Sequence, residues 1–179
     1  MPPKKILNAK QISTIISRLS FQLIEDHDDF NQTVLIAIQP RGVLFAKRIL
    51  KILNQKFIDV DLGILDITFF RDDFRRNQKS LKASRTVLNF SIENKTIVLI
   101  DDVLYTGRSI RAALDAIQSY GRPSSVQLLN LIDRRFSREL PIQPDYCGIQ
   151  VDSRMNQKVI VKWFENDNED SVYLIRHNE

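Results

Sequence analysis

Two adjacent carboxylates, Asp101 and Asp102, are followed four positions later by Thr106-Gly107-Arg108-Ser109, a turn built from hydroxyls and a glycine. That combination can hold a phosphorylated sugar. A helix N-terminus leaves backbone N–H groups unpaired and carries partial positive charge, so an anion settles there. Gly107 lets the backbone approach closely, and the Thr106 and Ser109 hydroxyls can donate to phosphate oxygens. Carboxylates repel a phosphate, so the aspartates must serve something beside it. The choices are vicinal ribose hydroxyls, for which a carboxylate is a strong acceptor, or Mg2+, which takes oxygen ligands from carboxylates and phosphates together.

The elements around this turn read as strand, loop and helix. Ile97-Val98-Leu99-Ile100 is short, β-branched and continuous, as in a strand buried on both faces of a parallel sheet. From Ser109 onward, Ile110, Ala113, Leu114 and Ile117 recur at helical spacing, and Gly121 with Pro123 stops the run near Tyr120. Upstream, Ile12, Ile15, Ile16, Leu19 and Leu23 mark an amphipathic helix capped by Asn8, and residues 33–39 form a buried strand before a second helix. Residues 61–70 and 125–132 read as further strands. Alternating strands and helices imply an α/β fold with right-handed crossovers and a mostly parallel central sheet flanked by helices. Neither a Walker A loop nor Gly-x-Gly-x-x-Gly is present.

Ligands of such sheets bind beyond the carboxyl ends of the strands, which gathers three more segments around the acidic pair. Pro40-Arg41-Gly42 follows a strand and precedes a helix; it is either a pyrophosphate-binding turn or a plain turn with a surface arginine. Residues 71–85 carry Arg71, Arg75, Arg76, Lys79, Lys82 and Arg85 against Asp72 and Asp73, with little to bury. This is the composition of a flexible loop, either closing over a polyanion or simply solvated. Asp133 and Arg134, after the last long strand, either wall a base pocket or pair with Arg138 and Glu139 at the surface.

A chain of 179 residues has the length of one domain and buries about 70% of its unfolded surface without staples. The lone Cys147 makes no internal disulfide, and His27 and His177 read as separate solvated residues, so neither a zinc site nor a Cys-His nucleophile is indicated. No run approaches the ~20 apolar residues that span a bilayer, and the N-terminus lacks a signal-peptide core. A cytoplasmic protein with no membrane partner is expected. The net charge of +4 suits an anionic ligand or a nucleic acid without choosing between them.

Taken together, residues 97–109 resemble the phosphoribosyl-pyrophosphate (PRPP) signature of type I phosphoribosyltransferases. The resemblance is closest to the bifunctional pyrimidine-operon attenuator and uracil phosphoribosyltransferase (PyrR) family. Four stretches carry it: Pro40-Arg41-Gly42-Val43 running into Ala46-Lys47-Arg48; Asp66-Ile67-Thr68-Phe69-Phe70-Arg71-Asp72-Asp73; Asp101 to Arg108; and Gly121-Arg122-Pro123-Ser124-Ser125-Val126-Gln127-Leu128. Enzymes acting on 6-oxopurines usually have an Asp where Tyr105 stands, and a phenol is a poor base at neutral pH.

The resemblance implies residues 1–179 as one phosphoribosyltransferase domain with a small hood and a flexible loop that includes Arg71, Asp72, Arg75 and Arg76. It implies Mg2+-dependent transfer of ribose 5-phosphate from PRPP to uracil, giving UMP and pyrophosphate. Asp101 and Asp102 would hold the ribose hydroxyls directly or through Mg2+, and Pro40, Arg41 and Gly42 would take pyrophosphate. Leu104, Tyr105, Thr106, Gly107, Arg108 and Ser109 would anchor the 5′-phosphate, and Asp133 and Arg134 would face the base. It also implies a homo-oligomer, dimer or higher, and leaves a second function open: an RNA-binding regulator that senses a pyrimidine nucleotide, with Arg18, Arg138 and Lys158 as remaining basic contacts. Four positions depart from the family pattern. Pro40 replaces Thr, Phe21 replaces His, Gln143 replaces Arg, and residues 133–139 contain one residue more than the usual Asp-Arg-Gly-His-Arg-Glu and lack its glycine.

Overall fold

A computed structural model describes residues 3–72, 83–153 and 157–176. After strand β1 (Lys4–Leu7), helix α1 (Ala9–His27) starts on a reciprocal capping box: Asn8 Oδ1 accepts the Gln11 N–H and Gln11 Oε1 accepts the Asn8 N–H. Strand β2 (Thr33–Ile38), helix α2 (Arg41–Gln55) and strand β3 (Leu62–Leu65) follow. A short 3-10 turn covers Thr68–Phe70. Strand β4 (Thr96–Leu104), helix α3 (Arg108–Ile117), strand β5 (Ser125–Arg135) and strand β6 (Tyr146–Asp152) complete the body. Strand β7 (Gln157–Lys162), the single turn α4 (Phe164–Asp167) and strand β8 (Ser171–Arg176) end the chain's described structure.

Five strands form one sheet in the order β3-β2-β4-β5-β6, every neighbouring pair parallel. Alternation splits its side chains between two cores. Leu35, Ala37, Val98, Ile100, Leu129 and Leu131 pack under α1 and α2, against Ile12, Leu19, Phe45 and Ile49. On the other face Val34, Ile36, Ile97 and Leu99 meet Ile110, Ala113 and Ile117 of α3. From β2 the chain winds outward through α2 to β3, whereas from β4 it winds the other way through α3 to β5. The winding therefore reverses between β2 and β4, and a crevice opens beyond their carboxyl ends.

Strands β1, β8 and β7 form a separate antiparallel sheet, the small hood. It is fastened to α2 by Arg48, whose guanidinium holds Asp170 and Glu165 at 2.8 Å and lies 4.7 Å over the Trp163 ring, which stacks in turn on Phe45.

Some expected boundaries move. The strand expected over residues 61–70 ends at Leu65, because Asp66 folds back to accept from the Thr68 N–H and hydroxyl and starts the 3-10 turn. Strand β5 runs three residues past Ile132, so Asp133 and Arg134 lie in the sheet and not in a loop. His27 is not a solvated residue. It is half-buried, with Nδ1 3.0 Å from Thr33 Oγ1 and Nε2 3.1 Å from Tyr146 Oη, and burial lowers its pKa. Arg75, Arg76, Lys79, Lys82 and His177 lie outside the described residues.

Candidate active site

The crevice holds a cavity of about 550 Å3 bounded by the end of β2, the start of α2, the acidic pair and the hood strand β7. A smaller cavity of about 220 Å3 adjoins it under residues 104–109, and Asp101 lines both. Asp102 faces α2: its Oδ2 is 3.6 Å from Arg41 Nη1, makes no hydrogen bond, and the residue is 2% exposed. Asp101 Oδ1 accepts the Asp102 N–H at 2.9 Å. Burial raises the pKa of both acids. Asp101 is pushed well up by burial and by the like charge of Asp102, whereas Arg41 works against burial at Asp102 and leaves it at about 6.

A buried carboxylate oxygen without a donor calls for one, and a hydroxyl or a cation would satisfy it. Among the described residues no third metal-ligating side chain joins the pair. These two carboxylates therefore fit a Mg2+ ion that keeps waters and takes its remaining oxygens from a phosphorylated substrate.

Two close approaches fix the loops beside the acids. A Cβ on Gly42 would sit 2.4 Å from the Ile100 carbonyl oxygen, so only glycine allows α2 to start against β4 and bring Arg41 to Asp102. Gly107 has φ 92°, a left-handed backbone, and caps α3. The Gln39–Pro40 peptide is cis, and Arg41 Nη1 also donates to the Val161 carbonyl of β7 at 3.2 Å. Arg41 thus bridges the acidic pair and the hood.

The turn at 105–107 is held from behind. Arg138 donates to the Tyr105 carbonyl, and the Glu139 and Leu140 N–H groups donate to the Thr106 carbonyl at 3.0 and 3.2 Å. In a trans peptide the carbonyl and the following N–H point oppositely, so the Thr106 and Gly107 N–H groups are turned away from residues 138–140. The loop one residue longer than the family pattern is this buttress.

Arg134, 4% exposed, lies in the wall of the large cavity with its guanidinium 3.7 Å over the Tyr105 ring. It donates to Ser153 Oγ at 2.8 Å and to the Gln157 carbonyl at 2.7 Å. Asp133 does not reach that cavity: alternation along β5 turns it to the opposite side, where it pairs with Arg138 and lines a different hollow with Cys147. Arg71 lines both cavities and donates to Ser109 Oγ at 3.4 Å. Asp72 lines the smaller one.

Sequence reasoning missed β7 as part of the site. Its Gln157 and Val161 carbonyls point away from β8, to Arg134 and Arg41, so by alternation the N–H and C=O of Val159 between them also face away from β8. Val159 lines the cavity. The alternation Val159, Val161 against Lys158, Lys162 is the signal that could have found this strand.

Of the basic residues expected on an RNA face, Arg18 donates to the Cys147 and Gly148 carbonyls at 3.0 and 2.6 Å, Arg138 holds the turn, and Lys158 lines the large cavity.

Residues 3–165 match the family model described as the phosphoribosyl transferase domain. The chain is 43% identical over 171 residues to the "Bifunctional protein PyrR" of Clostridioides difficile, covering 95% of this chain and 96% of the relative. It is 39% identical over 179 residues to the "Pyrimidine operon regulatory protein" of Lactococcus lactis, covering 99% and 100%. Among solved structures, the hypoxanthine phosphoribosyltransferase of Trypanosoma cruzi superposes with a TM-score of 0.74 at 17% identity, over 98% of this chain and 97% of that one, a likeness of fold. A parallel sheet that reverses its winding beneath an acidic pair, a glycine-capped helix start at its end and full-length kinship with PyrR proteins place this chain in the phosphoribosyltransferase family, within its PyrR group.

Proposed function

We propose that the chain transfers ribose 5-phosphate from PRPP to uracil, giving UMP and pyrophosphate, with Mg2+ as the metal. The observation that carries this reading is the buried, donor-seeking Asp102 Oδ2 beside Asp101, set between a glycine-capped helix start and a hood strand with an open backbone edge. The bond from sugar C1 to pyrophosphate breaks with its electron pair leaving on pyrophosphate. The N1 atom of the base then bonds to C1, and its proton passes to solvent or to the departing pyrophosphate. As the sugar becomes positive, Asp101 and Asp102, holding its hydroxyls, stabilise that charge where little water screens them. Bound Mg2+ would neutralise charge on the departing pyrophosphate.

Each remaining residue has a positional task. The Thr106 and Gly107 N–H groups and the Ser109 hydroxyl hold the 5′-phosphate, and that remote binding fixes C1 over the acids. Arg41 with the Gly42 backbone receives pyrophosphate, exchanging its contacts to Asp102 and Val161 for the product. The Val159 C=O and N–H match the N3–H donor and a carbonyl acceptor on one edge of uracil. Arg134 keeps Tyr105 and β7 in register beside the base. Asp133 serves the buttress through Arg138.

Residues 1–179 would work as one domain, in the cytoplasm, as a homo-oligomer. No helix among the described residues is long and apolar enough to cross a membrane. The name of the Lactococcus lactis relative supports a second role, regulation of a pyrimidine operon; RNA binding would be its means, and exposed Lys47 and Lys51 on one face of α2 offer phosphate contacts for it. Turnover of labelled PRPP against uracil, hypoxanthine, guanine and orotate tests the enzyme: UMP formation with Mg2+ is the expected result, and preference for a purine would overturn the choice of base. RNA binding that steepens with falling salt and responds to UMP would support regulation, and binding absent at every salt concentration would remove it.

A further inference from the structure

The smaller cavity, proposed above as the 5′-phosphate subsite, has a carboxylate in its own lining. Asp72 lines it, and the Asp72 carboxylate pairs with the Arg108 guanidinium and lies 3.6 Å from Arg111 Nη2, both from the first turn of α3. The rest of Arg108 is committed elsewhere, with Nε and Nη2 both 2.6 Å from Glu139 Oε2, so Nη1 is the part of it that turns toward Asp72. A phosphate seated on the turn at 106–109 meets a carboxylate that repels it and that holds one of the two arginines lining the cavity, the other being Arg71 on the Ser109 hydroxyl.

We infer that Asp72 is an internal competitor of the phosphate, whose carboxylate occupies the Arg108 corner of the phosphate subsite until a doubly charged phosphoryl group displaces it. This rests on reading that cavity as the 5′-phosphate subsite. A dianion gains more from two guanidiniums and a helix start than one carboxylate does, so it takes the corner over. A neutral ribose hydroxymethyl gains nothing that would release Asp72, and a singly charged group gains less. Asp72 thereby lowers affinity for phosphate and PRPP while leaving unphosphorylated sugars unaffected, which eases release of a phosphorylated product.

Removing the charge of Asp72 must therefore improve phosphate binding. Asp72→Asn keeps the size of the side chain and removes its charge. At low ionic strength the variant is expected to bind inorganic phosphate and ribose 5-phosphate about three- to tenfold more tightly by calorimetry, with a matching fall in KM for PRPP, a smaller change in kcat, and a gap that closes near ~0.5 M salt. Asp72→Glu, which restores the charge, should return toward wild type. If Asp72→Asn binds phosphate equally well or more weakly, Asp72 is no competitor and the inference fails while the subsite stands. If neither protein binds phosphate or ribose 5-phosphate, the subsite itself is misread and the inference falls with it.

Discussion

The loop at 104–109 and the hood meet across one cavity but are held by different means. Residues 104–109 are fixed mainly by backbone, through a left-handed glycine and two N–H groups on the Thr106 carbonyl, with a single side chain, Arg138, added on the Tyr105 carbonyl. The hood is fastened through side chains, by Arg48 to Asp170 and Glu165, Arg41 to Val161, and Arg134 to Gln157. A backbone clamp suits a loop that, on the proposed function, would bind the same group in every turnover. Side-chain clamps can exchange partners as substrates enter, and Arg41 already has two.

The acids between the two regions give the largest expected effect. Asp101→Asn or Asp102→Asn should lower kcat/KM for PRPP by about a thousandfold or more, read in the labelled-PRPP assay. Asp102→Asn should also stabilise the ligand-free fold. The carboxyl titrates at about 6 when folded, above its ordinary 3.8, so the folded state binds the extra proton between these values. Stability is full below pH 4, falls as pH rises through 6, and the deficit reaches at most ~3 kcal/mol. Melting curves of the two proteins should therefore converge at pH 4 and differ by several degrees at pH 8, with the variant higher.

Next in size is the backbone clamp. Gly107→Ala forces a Cβ into a left-handed residue 3.2 Å from Ile142 Cδ1. About 1–2 kcal/mol of stability should be lost, and KM for PRPP should rise roughly tenfold or more while KM for the base moves little, because the loop alone is disturbed.

Arg134→Met should do the reverse. Removing three contacts at the hood junction is expected to raise KM for uracil about tenfold with a smaller rise for PRPP, and equal rises would dissolve the distinction between the regions. The smallest effect is at the periphery. Arg48→Ala should lower the melting temperature by a few degrees and raise KM for uracil only about two- to threefold, since the hood keeps its strand pairing.

The same contrast explains what the sequence revealed. Asp101 to Ser109 is one continuous stretch whose strand, turn and helix signals reinforce each other locally, so its placement followed from residue types alone. Three parallel strands of the body were equally plain, because each is an apolar run buried on both faces. Strands β1 and β8 are four and six residues long, carry charges, and pair across the length of the chain, with Lys5 opposite Tyr173. No local pattern encodes such a partner. Val159 and the buttress at 138–140 were missed for that reason too: the first acts through its backbone, the second through a bond from Arg138 to a residue 33 positions earlier. Asp133 was grouped with Arg134 because both were read as loop; with β5 continuing through Arg135, the period-two alternation sends the two to opposite sides of the sheet.

Helix α2 carries Arg41 at its first residue and Arg48 seven positions on, two turns and ~10 Å along the same stripe. The helix is therefore a ruler that sets the span from the Arg41 end of the cavity to the hood. Inserting a single residue between them would swing Arg48 by about 100° around the axis while leaving Arg41 seated on Gly42 and β4. Length changes in this helix should be poorly tolerated even where its surface sequence drifts freely, since the ruler has no slack to give.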